Sequence, residues 1–123
     1  MESDVNEFDQ KIKEFSEYVL RMPEFARFQK AAERLENDKD ALLTIQDVQE
    51  RIRTVDMLQQ NGLPISNEQR EELGMAQTKM RANEICMEYL RSQNFAATAA
   101  RKICNQLTQT TGIPFAGGGG CCG

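Results

Sequence analysis

The sequence contains no histidine, no block of basic residues and no long apolar run. Without histidine, the chain lacks the usual general base at neutral pH, the Ser-His and Cys-His nucleophile pairs, and any histidine-ligated metal site. Carboxylate pairs such as Glu71-Glu72 lie at predicted helix starts, where capping and solubility explain them. No catalytic signature is present, and we expect a protein that is not an enzyme.

The balance of charge argues against a nucleic-acid binder. The 15 basic and 19 acidic residues give a formal net charge of −4, and the two signs are interleaved. Proteins that bind DNA or RNA directly normally carry a basic stripe, because neutralising phosphate dominates their affinity. We therefore expect no direct contact with nucleic acid.

A membrane location is not expected either. The apolar runs fall far short of the ~20 residues that span a bilayer. The N-terminal sequence MESDVNEFDQ is acidic, whereas a signal peptide begins with basic and apolar residues. The sequence therefore predicts a cytoplasmic protein.

The most regular pattern in the chain lies between Ala41 and Gln60 and is helical. Apolar residues recur there at steps of three and four, at Leu42, Ile45, Val48, Ile52 and Val55. This spacing places them along one stripe of a helix with about 3.6 residues per turn. A helix with one apolar stripe is not stable alone, so its neighbours should be helices that cover the stripe.

The same spacing predicts four further helices. The first covers residues 3–21, and a second runs from Pro23 to a break at Asn37-Asp38. Asp38 or Asp40 would cap the central helix, which ends at Asn61-Gly62. A fourth helix begins at a capping box of Ser66 and Gln69, with a kink or break near residues 81–83. The fifth opens at Ser92 or Asn94, has an inner face of Phe95, Ala99, Ile103 and Leu107, and stops before Gly112.

The predicted fold class is all-α, because no alternating run of Val, Ile and Thr indicates a strand. We expect an up-and-down bundle of about five helices with long helical hairpins. A chain of 123 residues has the size of one domain, so we predict one helical domain over residues 1–114 and a flexible glycine-rich tail over residues 115–123. The long apolar seams exceed what one chain can cover, which predicts a dimer.

The tail sequence GGGGCCG carries the most unusual residues of the chain. Cys121 and Cys122 are adjacent thiols after four glycines, where nothing nearby can bury them. Thiolates are soft ligands for iron–sulfur clusters, zinc or copper, but two of them cannot complete a site that takes four. Further ligands would come from Cys104 or Cys86, from a second subunit or from a partner protein.

Each cysteine also has an alternative without a ligand role. Cys121 and Cys122 are the predicted metal ligands, but an inert tail would equally contain them. Cys104 is predicted to join them as a cluster ligand, although it adjoins an apolar stripe, where core packing competes. Cys86 adjoins such a stripe too and is the weaker candidate. The predicted cofactor is an iron–sulfur cluster, with zinc as the alternative.

The span MPEFARFQKAAERLENDKDALLTIQDVQERI has a Pro-aromatic helix start, a Leu-Glu-Asn-Asp break and an Ala-Leu-Leu restart, in that order. In these features the chain resembles the YlbF/YmcA family, the competence-control regulators of bacteria. The Asn-Gly loop and the cysteine-bearing tail fit as well. The resemblance implies an all-helical, dimer-forming cytoplasmic protein without enzymatic activity.

Family likeness also implies a function for the chain. It implies an adaptor that forms homodimers or hetero-oligomers with family members and a further protein, and that influences mRNA processing by an endoribonuclease. It further implies that C-terminal cysteines ligate an iron–sulfur cluster, here through Cys121 and Cys122. The alternative function is a thiol redox or metal-transfer protein that uses Cys121-Cys122.

Overall fold

The computed structural model describes residues 2–115, with side chains from Asn6 onwards, and its regular structure is entirely α-helical. The helices are α1 (Glu2–Arg21), α2 (Pro23–Glu36), α3 (Lys39–Gln60), α4 (Asn67–Arg81) and α5 (Glu84–Thr111). Residues 2–115 contain no strand. The predicted all-α fold of about five helices is confirmed. Within this part of the chain, no helix is long and apolar enough to cross a bilayer.

Local capping side chains set the helix boundaries on either side of α3 and α4. Asp38 caps α3, because its carboxylate oxygen accepts the Ala41 N–H at 2.9 Å. Ser66 and Gln69 exchange two hydrogen bonds of 3.0 Å, which confirms the predicted capping box of α4. After α3, Gly62 adopts a φ of +69°, a conformation that favours glycine. These short-range bonds satisfy backbone groups that a helix end otherwise leaves unpaired.

The predicted start of the fifth helix is wrong. α5 runs without interruption through Ser92 and Asn94, so neither residue caps a helix. Its cap is Asn83, whose side-chain oxygen accepts the N–H groups of Ile85 at 3.0 Å and Cys86 at 3.1 Å. The kink or break predicted near residues 81–83 is therefore the boundary between α4 and α5. Ser92 is fully buried, and packing has overridden its preference for a helix end.

Replacing Asn83 with alanine tests this boundary. We expect the free energy of unfolding to fall by about 1–2 kcal/mol, because two N–H groups at the start of α5 lose their acceptor. Asn94→Ala is the matched control. Asn94 lies exposed within α5, where alanine is the better helix former, so this variant should be neutral or slightly more stable. If urea unfolding showed equal losses of stability in Asn83→Ala and Asn94→Ala, the boundary at Asn83 would be contradicted.

The chain divides into two compact units. Ala31–Arg91 forms one, which we call the central unit, and the described residues on either side, 2–30 and 92–115, form the terminal unit. In the central unit α3 packs against α4. Its core consists of Leu35, Ala41, Ile45 and Cys86, with partly buried Leu42, Met80, Ile85, Tyr89 and Leu90 packed against them. The predicted domain over residues 1–114 and tail over residues 115–123 stay a prediction, since residues 116–123 lie outside the described part.

Candidate interaction surface

One face of α1 exposes large apolar side chains. Phe8 is 64% exposed, Ile12 47% and Phe15 46%. Their spacing of four and three residues places them on one stripe of the helix. We call Phe8, Ile12 and Phe15 the α1 face. Contiguous apolar side chains that remain in water usually mark a surface that binds another molecule.

A groove within the terminal unit continues from this face. One part of it is lined from α1 by Phe15, Tyr18, Val19 and Met22 and from α5 by Ile103, Gln106, Leu107 and Thr110. The adjoining part is lined by Met22, Glu24, Phe95, Thr98, Ala99, Lys102, Ile103 and Gln106. We call the two together the terminal groove. The later residues of α5 line the groove together with the earlier residues of α1. The two helices therefore run antiparallel along the groove.

The predicted inner face of α5 is only partly right. Ala99 is buried as predicted, but Phe95 is 52% exposed and Leu107 is 37% exposed. The buried positions of α5 in this unit are small, namely Ser92, Ala96, Ala99 and Cys104. Small side chains allow close packing, and the larger apolar residues are left to line the terminal groove.

Two charged groups line the groove between Phe95 and Met22. One carboxylate oxygen of Glu24, Oε2, is shielded from solvent and has no hydrogen-bond partner among the described residues. The exposed Lys102 lies in the lining of the same part of the groove. The guanidinium of Arg27 lies over the Phe95 ring, 4.9 Å from its centroid. A shielded carboxylate oxygen without a donor is unfavourable for folding, and because it has almost no accessible surface it does not itself face the groove.

A separate polar cluster connects α3 to α4 in the central unit. The guanidinium of Arg51 donates to Asp47 at 3.0 Å and to Glu72 at 2.8 Å. The hydrogen bond that Arg51 donates to Glu72 raises the pKa of the guanidinium, desolvation opposes this in part and the charge of Asp47 adds to it, so Arg51 stays protonated. All three side chains are partly exposed, so the cluster adds specificity to the α3–α4 packing and little stability.

Of the four cysteines of the chain, the structure describes the environments of two, Cys104 and Cys86. Cys121 and Cys122 lie outside the described residues. Cys104 is 5% exposed on α5 and is disulfide-bonded, so its sulfur could bind metal only after reduction. Cys86 is fully buried, and its thiol donates to the Ala41 carbonyl at 3.2 Å. Within the described chain no three or more Cys, Asp or Glu side chains form a group that could hold a metal ion. The ligand roles of Cys104, Cys121 and Cys122 therefore stay predictions.

The burial of Cys86 predicts that its thiol reacts slowly. It also predicts how the free energy of unfolding depends on pH. Desolvation, and then the charges of Asp38 and Asp40, raise the pKa of the Cys86 thiol. In the unfolded chain a thiol titrates near pH ~8.5. Below that pH the stabilising contribution of neutral Cys86 is fully present, and it is lost as the pH rises through the folded pKa.

A comparison of the wild type with Cys86→Ala isolates this contribution. We expect the wild type to lose more stability than the variant when urea unfolding is repeated at pH about 10 instead of 7. An aromatic disulfide reagent should modify Cys86 in urea but only slowly in the native protein. An identical pH dependence in both proteins, with rapid native modification, would contradict the buried environment of Cys86.

Comparison with known proteins gives one match. Residues 8–110 match the family described as control of competence regulator ComK, YlbF/YmcA. No curated protein and no solved structure matches the chain. The matched span contains the whole α1 face and every residue that lines the terminal groove. Since it also covers far more than half of the 123 residues, the chain belongs to the YlbF/YmcA family.

Proposed function

We propose that this protein is a non-enzymatic regulatory adaptor of the YlbF/YmcA type. It acts in the cytoplasm by assembling with itself, with other members of the family and with a further protein, and it thereby influences the competence regulator ComK. Membership of a family described by its control of ComK supports the regulatory role. The regulatory step is a binding event, and no chemical step is assigned to the chain.

The observation that carries this proposal is the exposed α1 face. Phe8, Ile12 and Phe15 would each stabilise the protein if they were covered, because fully burying an apolar side chain contributes about 1.5–3 kcal/mol. An adaptor binds through such surfaces, and apolar and aromatic side chains form the centres of protein interfaces. The α1 face lies inside the region that matches the family.

We propose further that the tail cysteines bind an iron–sulfur cluster, with zinc as the alternative. In the fully reduced protein Cys104, Cys121 and Cys122 can supply three thiolates. A cluster usually takes four cysteine ligands. Cys86 does not fit as the fourth, because its thiol is fully buried in the core of the central unit. These donors support a cluster whose ligands are shared between chains.

The mass of the purified protein tests assembly. We expect the chain, alone and mixed with other YlbF/YmcA-family proteins of the same genome, to form species larger than the 14.0 kDa monomer. A Phe8→Ser/Ile12→Ser variant should assemble much more weakly, because it removes apolar area from the α1 face. Leu43→Ser/Met57→Ser is the matched control, since both residues are exposed on α3. A monomer in every mixture, or equal losses in both variants, would refute assembly through the α1 face.

A further inference from the structure

We propose that Cys104 forms a disulfide with one of the tail cysteines, Cys121 or Cys122, and that this disulfide is a redox switch on metal binding. The inference rests on the proposed function, because it names a regulation of the thiols that are proposed to bind a cluster or zinc. It assigns Cys104 two states, a disulfide that withholds ligands and a thiolate that completes a set of three.

The partner of Cys104 follows from the state of the other cysteines. The chain has four cysteines, and Cys104 is disulfide-bonded. Cys86 is a free thiol, fully buried in the core of the central unit and hydrogen-bonded to the Ala41 carbonyl. A disulfide within one chain therefore joins Cys104 to Cys121 or Cys122, and the remaining tail cysteine keeps its thiol.

The chain reverses its direction directly after α5. Gly112 adopts a φ of +75°, which favours glycine, and its N–H donates to the Thr108 carbonyl at 2.8 Å. The Ile113 N–H then donates to the Thr111 hydroxyl at 3.1 Å. The Phe115 N–H donates to the Thr108 hydroxyl at 3.0 Å, seven positions earlier in the chain. At Phe115 the chain has thus returned to the last turns of α5.

Cys104 lies within reach of this returning segment. Cys104 and Thr108 are one turn apart on the same face of α5. The Thr108 hydroxyl, which accepts from Phe115, donates to the Cys104 carbonyl at 3.0 Å. One turn of helix spans about 6 Å, whereas the extended chain from Phe115 to Cys121 covers up to about 20 Å. Either tail cysteine can therefore approach Cys104 to the distance that a disulfide needs.

Oxidation changes the number of thiols that can bind metal. When the disulfide forms, two cysteine thiols lose two protons and two electrons, which convert one glutathione disulfide into two glutathione thiols. Of Cys104, Cys121 and Cys122, only one then remains a thiol. A single thiolate cannot hold a cluster or zinc, which take four ligands, whereas three thiolates need only one more from a partner. The disulfide is therefore the state without metal.

The position of this disulfide favours regulation over support of the fold. It joins α5 to the residues that follow Phe115, so it connects no two of the five helices. Disulfides of cytoplasmic proteins are rare, and those that occur are usually transient, in catalysis or in redox sensing. We therefore expect reduction to leave the helix content unchanged while it frees the thiols.

Peptide mapping tests the connectivity. Trypsin leaves Cys104 and both tail cysteines on one peptide, because Lys102 is the last basic residue, but chymotrypsin can cut after Leu107 and Phe115. The full chain is oxidised with glutathione disulfide, blocked at its free thiols and taken from the monomer band of a non-reducing gel. We expect the Cys104 peptide linked to the tail peptide.

The number of free thiols provides a second reading of the same disulfide. In urea, the oxidised protein should have two free thiols and the reduced protein all four. Cys86→Ala is the matched control, and it should keep the link with one thiol fewer in each state. A ring between Cys121 and Cys122, or links that occur only between two chains, would overturn the inference.

Zinc binding measures the effect of the disulfide. Zn²⁺ alone is the probe, because the sulfide that builds a cluster would itself reduce a disulfide. Reduced wild-type protein should bind Zn²⁺ at least about tenfold more tightly than oxidised protein. In Cys121→Ser/Cys122→Ser, which cannot form the disulfide, oxidation should not change zinc affinity. The disulfide should open in excess reduced glutathione, and one that stays closed would be structural and would overturn the switch.

The outcomes separate this inference from the proposed function. The expected link, together with zinc affinity that rises on reduction, would support the switch. A reduced protein that binds zinc through its tail thiols but never forms the link would overturn the switch and leave the proposed metal site standing. A link that forms while zinc binds equally weakly in both states would overturn both the switch and the tail ligands, and leave the adaptor role intact.

Discussion

Replacing Leu35 with alanine should lower the free energy of unfolding by about 2–5 kcal/mol. Leu35 is 5% exposed and packs in the core of the central unit with Ala41, Ile45 and Cys86. Truncation would remove apolar contacts and leave a cavity that the surrounding helices can fill only in part. Domains of this size have a free energy of unfolding of only about 5–15 kcal/mol. This single change would therefore remove a large part of that stability.

Leu43→Ala is the matched control for Leu35→Ala, because it makes the same chemical change on the neighbouring helix. Leu43 is more than half exposed on α3, so its truncation should change stability by about 0.5 kcal/mol or less. Urea unfolding followed by circular dichroism at the helical band measures both variants. Similar losses in the two proteins would show that Leu35 is not part of a packed core.

The second large effect is expected at the C-terminus. A Cys121→Ser/Cys122→Ser variant should lose the iron and acid-labile sulfide that we expect in wild-type protein purified without oxygen. Thiolate is the soft ligand that a cluster requires, and a serine hydroxyl is neutral and hard at neutral pH. We expect metal content to fall to the background of the preparation, whereas the helix content of the two proteins should be the same.

Two further variants show whether that loss is specific. Cys86→Ala should keep its metal, because the Cys86 thiol is buried and bonded to the Ala41 carbonyl. Cys104→Ser should lower metal content if Cys104 is the third ligand. Zinc in place of iron would support the zinc alternative. A metal-free wild type whose thiol count depends on the redox buffer would contradict the cluster and favour the thiol redox function of Cys121 and Cys122.

Much of the fold follows from signals that act over a few residues. Pro23 fixes the start of α2 because its ring fits the first turn of a helix. The Ser66–Gln69 capping box is complete within four consecutive positions. The stripe of the central helix is set by spacing alone, and its members Ile45 and Val48 are buried. These features need no knowledge of what packs against them.

The features that the sequence did not predict depend on tertiary packing. Serine favours caps, which predicts a helix start at Ser92, but Ser92 is fully buried inside α5. The spacing of Phe95 predicts a core position, yet small residues form the buried positions of α5 and Phe95 lines the groove. The shielded Glu24 oxygen has no sequence signature, because its isolation depends on which groups surround it.

The most direct test of regulation through the α1 face is the abundance of ComK in cells. Deleting the gene for this protein should change ComK abundance, and wild-type protein or the Leu43→Ser/Met57→Ser control should restore it. Phe8→Ser/Ile12→Ser protein, present at the same level, should fail to restore it, because the adaptor can no longer assemble. Full restoration by the Phe8→Ser/Ile12→Ser protein would contradict regulation through this face.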